Sequence, residues 1–248
     1  WVDYVSLETA YALSADQESA YSGYQMHVFN EEDYYEQDGN GKSPANPRYF
    51  YRRLFWAWLL SGGSANYGGR YTCNGSGQPK LQPYTLTNGE SNGELSCTLG
   101  STTFTTQLVG LDSVKYIKPY LESRNIDLAG FTSDDGLVSD VNGATGVDRP
   151  KLARRSTSEY LVYHPNSTGT GQSVNINSAR TVAMRVNLSS ATGNIAVEWF
   201  RPYDGISQSG GIVSSGATRD FMAPWTGYDV VLRLLTMPVS PTSTPIPT

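Results

Sequence analysis

Apolar positions in the first quarter of the chain recur in two rhythms. Met26, Val28 and Phe29 form a short run of the kind found in a buried strand, and Trp1-Val-Asp-Tyr-Val-Ser-Leu7 reads as another. Between them, residues 14–24 predict a short helix with Ser14 as N-cap and Asp16, Gln17 and Glu18 in its first turn, where acidic groups suit the helix dipole. Strand, helix, strand predicts parallel pairing, because antiparallel neighbours need only a hairpin. Tyr51, Leu54, Phe55, Trp58 and Leu59 then follow the three-to-four spacing of a helix over 48–61, with Gly62-Gly63 as its stop. Residues 64–72 predict a short strand entering a glycine turn, and 73–106 a loop or β-hairpin excursion. Residues 111–124 predict a weaker helix in which Pro119 either kinks the chain or opens a shorter helix. Residues 127–149 read as loop.

From residue 154 the rhythm changes. Segments 160–164, 173–176, 181–186, 194–200, 211–213, 218–222 and 228–235 are short strands separated by Gly, Ser, Asn and Pro turns, the pattern of an antiparallel β-sandwich. The predicted organisation is therefore α/β plus all-β. The first unit covers 1–152, the sandwich 153–236, and residues 237–248 are a Pro/Ser/Thr linker of the kind that joins secreted modules.

Composition sharpens this picture. A chain of 248 residues with 38% hydrophobic content can bury a substantial core. Only 17% of residues are charged, whereas Gly (25) and Tyr (17) are abundant, a mixture that fits extracellular β-rich and carbohydrate-handling proteins. A net charge of −5 without any Lys/Arg-rich run argues against nucleic acid, and no apolar run is long enough to span a membrane. Cys73 and Cys97 have no nearby His to complete a zinc site. A disulfide is the better reading, which implies an oxidising compartment, and closing that loop contributes about 3 kcal/mol.

The chemistry concentrates after the Met26–Phe29 run, where Asn30, Glu31, Glu32, Asp33 and Glu36 stand among two tyrosines. Carboxylates held close together raise one another's pKa, which suits proton transfer or nucleophilic attack; a solvated acidic loop after a strand gives the same pattern. His27 and His164, the two histidines, lack the Ser or Cys context of a triad and read as structural. No Walker or Rossmann glycine pattern and no metal-ligand spacing occurs, so no cofactor and no metal is expected. Trp199, Tyr203 and Trp225 offer flat faces for sugars, with core packing the stronger reading for Trp199.

Trp1-Val-Asp-Tyr, Asn30-Glu-Glu with Tyr35-Glu36, Arg52 to Leu60 followed by Ser61-Gly-Gly, and Tyr67-Gly68 together resemble the last third of the catalytic domain of apiosidase-like glycoside hydrolases, a (β/α)8 (TIM) barrel family. Trp199-Phe-Arg-Pro-Tyr-Asp-Gly205, Ala223-Pro224 and Asp229-Val-Val-Leu232 resemble the β-sandwich that follows that barrel. The resemblance implies barrel strands six to eight, then the sandwich. It implies Glu32 as nucleophile at the end of strand seven, which agrees with catalytic groups at the C-terminal ends of barrel strands. It implies that Glu36 and Tyr35 orient Glu32 or bind a sugar hydroxyl, and that Glu8 and Tyr11, Asn30, and Tyr67 and Arg70 line the substrate site. Glu31 and Asp33 stand where the family often has Gly and Pro, and Ala10-Tyr11 replaces a Gly-His pair, which adds negative charge beside Glu32 and removes a substrate contact.

A glycosidase needs two carboxyl groups. The family's acid/base precedes Trp1, so an N-terminal barrel portion, on another chain or missing from the sequence, is expected to complete the ring, and the piece alone is not expected to fold or turn over. The function so implied is a secreted glycoside hydrolase acting on plant or microbial polysaccharide. Its alternative is a non-catalytic extracellular protein, carbohydrate-binding or surface-assembling, that reuses the scaffold.

Overall fold

The computed structural model describes residues 4–8, 27–32, 34, 36, 44–67, 85–86, 94–99, 102–107, 109–144 and 148–237. The expected helix over 14–24 and linker over 238–248 lie outside them. The described chain is mostly β-sheet with few helices. Strands β1 (Tyr4–Glu8), β2 (His27–Glu32) and β3 (Ser64–Ala65) pair parallel in the order β1-β2-β3. Parallel pairing is as the strand-helix-strand pattern predicts. Of the expected barrel, the described residues hold these three strands and no closed ring.

Helix α1 (Pro47–Leu60) lies between β2 and β3 in sequence. Pro47 opens it with a preset φ, and the Asn46 side chain caps it by accepting the Tyr49 N–H at 3.1 Å. Gly62, at φ +93°, takes the left-handed turn after it that a side chain would strain. The apolar spacing predicts one buried face, and the helix has two. Phe50, Tyr51, Leu54 and Trp58 pack with Val28 of β2. Trp56 and Leu60 pack on the opposite side, against the β-rich half.

A hairpin of β5 (Glu94–Leu99) and β6 (Thr102–Gln107), with β4 (Thr85–Leu86) beside β5, forms the excursion the sequence predicts. Of the two alternatives for 111–124 the shorter helix opened at Pro119 is present, α3 (Ile117–Ser123), preceded by a separate short helix, α2 (Val109–Ser113). Pro119 stands in the first turn of α3, where a missing N–H costs no hydrogen bond.

The remaining chain builds two antiparallel sheets. One has the order β15-β14-β17-β10-β9-β7, from β7 (Thr132–Ser133), β9 (Lys151–Arg155), β10 (Glu159–His164), β14 (Asn194–Arg201), β15 (Ile206–Ser214) and β17 (Val230–Thr236). The other has the order β16-β13-β8, from β8 (Val138–Asp140), β13 (Thr181–Asn187) and β16 (Thr218–Thr226). Their inner faces meet in a core that includes Val162, Val182, Met184, Val197, Trp199, Phe221 and Leu232. The opposite face of the larger sheet, with Leu161, Tyr163, Phe200 and Val231, packs on α1 and α3 through Trp56 and Tyr120. The middle of the six-stranded sheet, β10 above all, is thus buried on both sides, whereas its β15 edge is exposed.

Two expectations need correction. Residues 127–149 are not plain loop, since β7 and β8 join the two sheets there. Strands this short show no alternation to read; polar side chains hold them instead, Asp135 accepting the Leu152 N–H at 2.8 Å and Lys151 Nζ at 2.9 Å, and Asp134 accepting Arg154 Nε at 2.8 Å. Residues 173–176 are not a strand of either sheet. They end in β12 (Asn175–Ile176), which pairs with β11 (Ser167–Thr168) in an arm separate from both.

A buried ion pair ties α1 to the β-rich half. Arg52 of α1 makes a forked contact to Asp229, Nε at 2.8 Å and Nη2 at 2.7 Å, with the side chains 3% and 0% exposed. Tyr163 donates its hydroxyl to the same carboxylate at 3.2 Å, and the Arg52 guanidinium lies against the Tyr49 and Tyr203 rings. Removing one partner leaves the other charge buried and unpaired. Asp229→Ala should therefore lower the unfolding free energy by about 3–5 kcal/mol, and a double replacement of Arg52 and Asp229 by apolar residues should cost less than the single. Urea unfolding of the two variants beside the wild type checks this; a single variant costing under about 1 kcal/mol would contradict it.

Candidate functional site

Glu8 and Glu32 close β1 and β2, and their backbones are partners in the parallel register. The pairing slips by one residue just before them, from Leu7 opposite Asn30 to Glu8 opposite Glu32, so a bulge sits at the strand ends. For both residues the description stops at the backbone. Glu31, skipped by the bulge, is exposed and accepts a hydrogen bond from the Ser6 hydroxyl. Asn30 is buried, and its carbonyl accepts the Asn66 N–H at 2.9 Å beyond β3. Tyr11, Tyr35 and Arg70 lie outside the described residues, as does Cys73; the Cys97 backbone pairs with Phe104 in the hairpin.

Glu36 is the candidate for which the structure says most. It is 2% exposed. One carboxylate oxygen accepts the Tyr67 hydroxyl at 2.8 Å and the Gly110 N–H of α2 at 2.8 Å. Its own N–H donates to the Tyr51 hydroxyl at 3.0 Å, and that hydroxyl donates to the Tyr34 carbonyl. Tyr51 thus pins the backbone at residues 34 and 36; the Phe50 ring meets those of Tyr34 and Tyr51 edge to face, and the Tyr67 ring is tilted against Tyr51. Gly110 is required by this approach: a Cβ there would lie 2.3 Å from the Tyr51 ring and 2.5 Å from the Glu36 carboxylate. Sequence reasoning paired Glu36 with Tyr35 and Glu32. The structure brings it to Tyr67, as the sequence set allows, and also to Tyr51 and Gly110, which the sequence analysis missed because nothing in a linear pattern marks so distant a contact.

Burial pushes the Glu36 carboxyl above its ordinary 4.5, against the opposing pull of the Tyr67 hydroxyl and the α2 amides. Burial and the neighbouring Glu36 together raise the Tyr67 phenol. The geometry of Glu36 makes it a clamp between the end of β3, α1 and α2.

His164, 0% exposed, accepts the Asn166 N–H on Nδ1 at 2.9 Å, so its Nε2 carries the hydrogen toward Asp140 at 2.5 Å. Burial acts to raise the Asp140 carboxyl, but the bonds from His164 and from the Asn142 and Ala144 amides outweigh it and hold it below its ordinary value. His27, exposed, shares a 2.8 Å hydrogen bond with Ser64. Trp199 is core, whereas Tyr203 is 45% exposed. Among the described residues no group of three or more His, Cys, Asp or Glu is placed to hold a metal ion, and no helix is long and apolar enough to cross a membrane. An apolar groove of about 460 Å³ between α1 and α3, lined by Phe55, Leu59, Ile117 and Leu121, touches none of the candidate site residues.

No family model matches the chain, and no curated protein matches it in sequence. Solved structures do match. A protein described as a glycoside hydrolase aligns with a TM-score of 0.53 at 16% identity, over 85% of this chain and 42% of the other. A glycoside hydrolase family 5 protein from Bacteroides vulgatus aligns with a TM-score of 0.55 at 17% identity, over 90% of this chain and 45% of the other. The chain spans less than half the length of these structures. At such identity the likeness is one of fold. The scaffold is glycosidase-like.

The raised Glu36 carboxyl has a signed consequence. A carboxyl whose folded pKa exceeds its unfolded value stabilises the fold at pH below about 4.5, and that contribution is lost as pH rises through the folded value. Glu36→Gln keeps an acceptor for Tyr67 and Gly110 but cannot ionise. The melting temperature of the wild type relative to Glu36→Gln should fall steadily between pH 4.5 and neutrality in differential scanning fluorimetry; parallel curves would contradict the assignment.

Proposed function

We propose that this chain is part of a secreted glycoside hydrolase of the apiosidase-like kind, acting on plant or microbial polysaccharide with Glu32 as nucleophile. The observation that carries the reading is the pairing of Glu8 and Glu32 in register at the C-terminal ends of adjacent parallel strands, the end at which barrel enzymes place their chemistry. The fold-level likeness to glycoside hydrolases supports the same assignment.

In this reading Glu32 attacks the anomeric carbon as the bond to the leaving oxygen breaks. A second carboxyl, from polypeptide outside these 248 residues, gives that oxygen its proton and then activates the water that releases the sugar. For a retaining outcome the two carboxyls stand about 5–5.5 Å apart. Glu8, Tyr11, Asn30, Tyr35 and Arg70 line the sugar site. Glu36, with Tyr67, orients the segment that carries Glu32. A Cys73–Cys97 disulfide closes the insert in an oxidising compartment.

Turnover of aryl glycosides by the full-length protein tests this. Glu32→Gln should lower kcat by at least about a thousandfold with the melting temperature unchanged. Equal rates in the two proteins would remove the nucleophile assignment, and no turnover by either would leave a non-catalytic carbohydrate protein on the same scaffold.

A further inference from the structure

Between β10 and β13 the chain passes from the six-stranded to the three-stranded sheet by way of the β11–β12 arm. The base of the arm is tied to the β-rich half. Asn166, 0% exposed and at φ +52°, donates from Nδ2 to the carbonyls of Asn177 at 3.1 Å and Tyr228 at 3.0 Å, and Arg180 Nε reaches its Oδ1 at 2.6 Å. Gly169 and Gly171, at φ +73° and +57°, let the tip fold into a single 3-10 turn, Gly171–Ser173.

The tip is tied elsewhere. Val174, 1% exposed, packs in the apolar cluster of Val28, Tyr34 and Phe50. The Gln172 carbonyl accepts the Ala45 N–H at 2.8 Å, and Asn175 Oδ1 accepts Asn46 Nδ2 at 2.7 Å, just ahead of α1. Tyr49 of α1 donates its hydroxyl to the Pro165 carbonyl at 2.7 Å and lies 2.6 Å from the Ser167 hydroxyl. A Cβ on Gly171 would stand 3.6 Å from the Tyr34 hydroxyl, so the turn lies directly over that side chain. A connector between two strands of the β-rich half has no need of any of these contacts. Their common target is the N-terminal end of α1 together with Tyr34, two residues past Glu32, whose carbonyl Tyr51 already holds.

We infer that the arm over 165–177 is a positioning element for the acidic segment. Pressing Tyr34 from one side while Tyr51 holds its backbone from the other, it fixes where the end of β2 stands. The β-rich half is then a working part of the catalytic site, and not an appended module. This rests on the assignment of Glu32, and a misplacement of about 1 Å in a reacting group can cost about 100-fold in rate.

Val174→Ala removes the arm's apolar contact, and Val182→Ala makes the same substitution at an equally buried position in the core between the two sheets. In the full-length protein Val174→Ala should lower kcat by at least about tenfold with KM changed less than about threefold, whereas Val182→Ala should lose thermal stability and keep kcat. Hydrogen exchange gives a readout independent of turnover: Val174→Ala should speed exchange of the amides over 30–36, and Val182→Ala should not. Unchanged exchange there overturns the inference whatever the activity. Faster exchange in a protein whose Glu32→Gln variant turns over normally keeps the arm's role and removes the catalytic assignment alone.

Discussion

The forked contact between Arg52 and Asp229 decides how the two halves of the chain are joined. Desolvating a guanidinium and a carboxylate costs several kcal/mol each, and their attraction repays that only when the fork is closed and the spare lone pairs are satisfied. Here two guanidinium nitrogens reach the carboxylate and Tyr163 supplies a further donor. Any slippage of α1 along the six-stranded sheet would open the fork and strand two charges in the core. Apolar packing of Trp56 and Leu60 supplies adhesion without direction. The ion pair supplies the direction, and so fixes which residues of α1 face the parallel strands.

What faces them is the support of the candidate site. With Arg52 set, Tyr51 one residue earlier points its hydroxyl between the Tyr34 carbonyl and the Glu36 N–H. Glu36 in turn reaches Tyr67 beyond β3 and Gly110 at the start of α2. An acid this buried is tolerated because donors from separate elements converge on it, and it binds those elements together for the same reason. The alternating row Arg124, Glu198, Arg233 and Glu159 runs from a half-buried end at Arg124 and Glu198 to a buried end at Glu159, with links of 2.8, 3.8 and 2.7 Å. Being partly solvated, it constrains less.

Periodicity revealed the elements whose burial has one repeat. The 48–61 helix, the Pro119 helix start, the hairpin within the cysteine insert and the strands from 181 onward all carried a clear 3.6 or 2 rhythm or a turn residue at the break. Polar residues that act at long range left no such trace. Arg52 and Arg53 look like the solvent side of a helix until Asp229 is known to meet the first of them, and Asp134 and Asp135 look like a turn although they anchor β7 and β9. The arm over 165–177 escaped for a related reason: Val174 and Ile176 alternate like a strand, yet they are buried against Tyr34 and Phe50 instead of a sheet. At the candidate site, the acidic run after Phe29 was visible as a cluster of carboxylates, but the clamp on Glu36 comes from Tyr51, Tyr67 and Gly110, residues brought together only by the fold.

The central claim is that α1 couples the parallel strands and the β-rich half into one cooperative structure. Native-state hydrogen exchange across a urea series measures this most directly, because amides that open together share one free energy and one denaturant slope. The account predicts that the slowest amides of β2 and of β17 converge on the same opening. Exchange of β2 through a separate opening of low free energy, with β17 still fully protected, would contradict it.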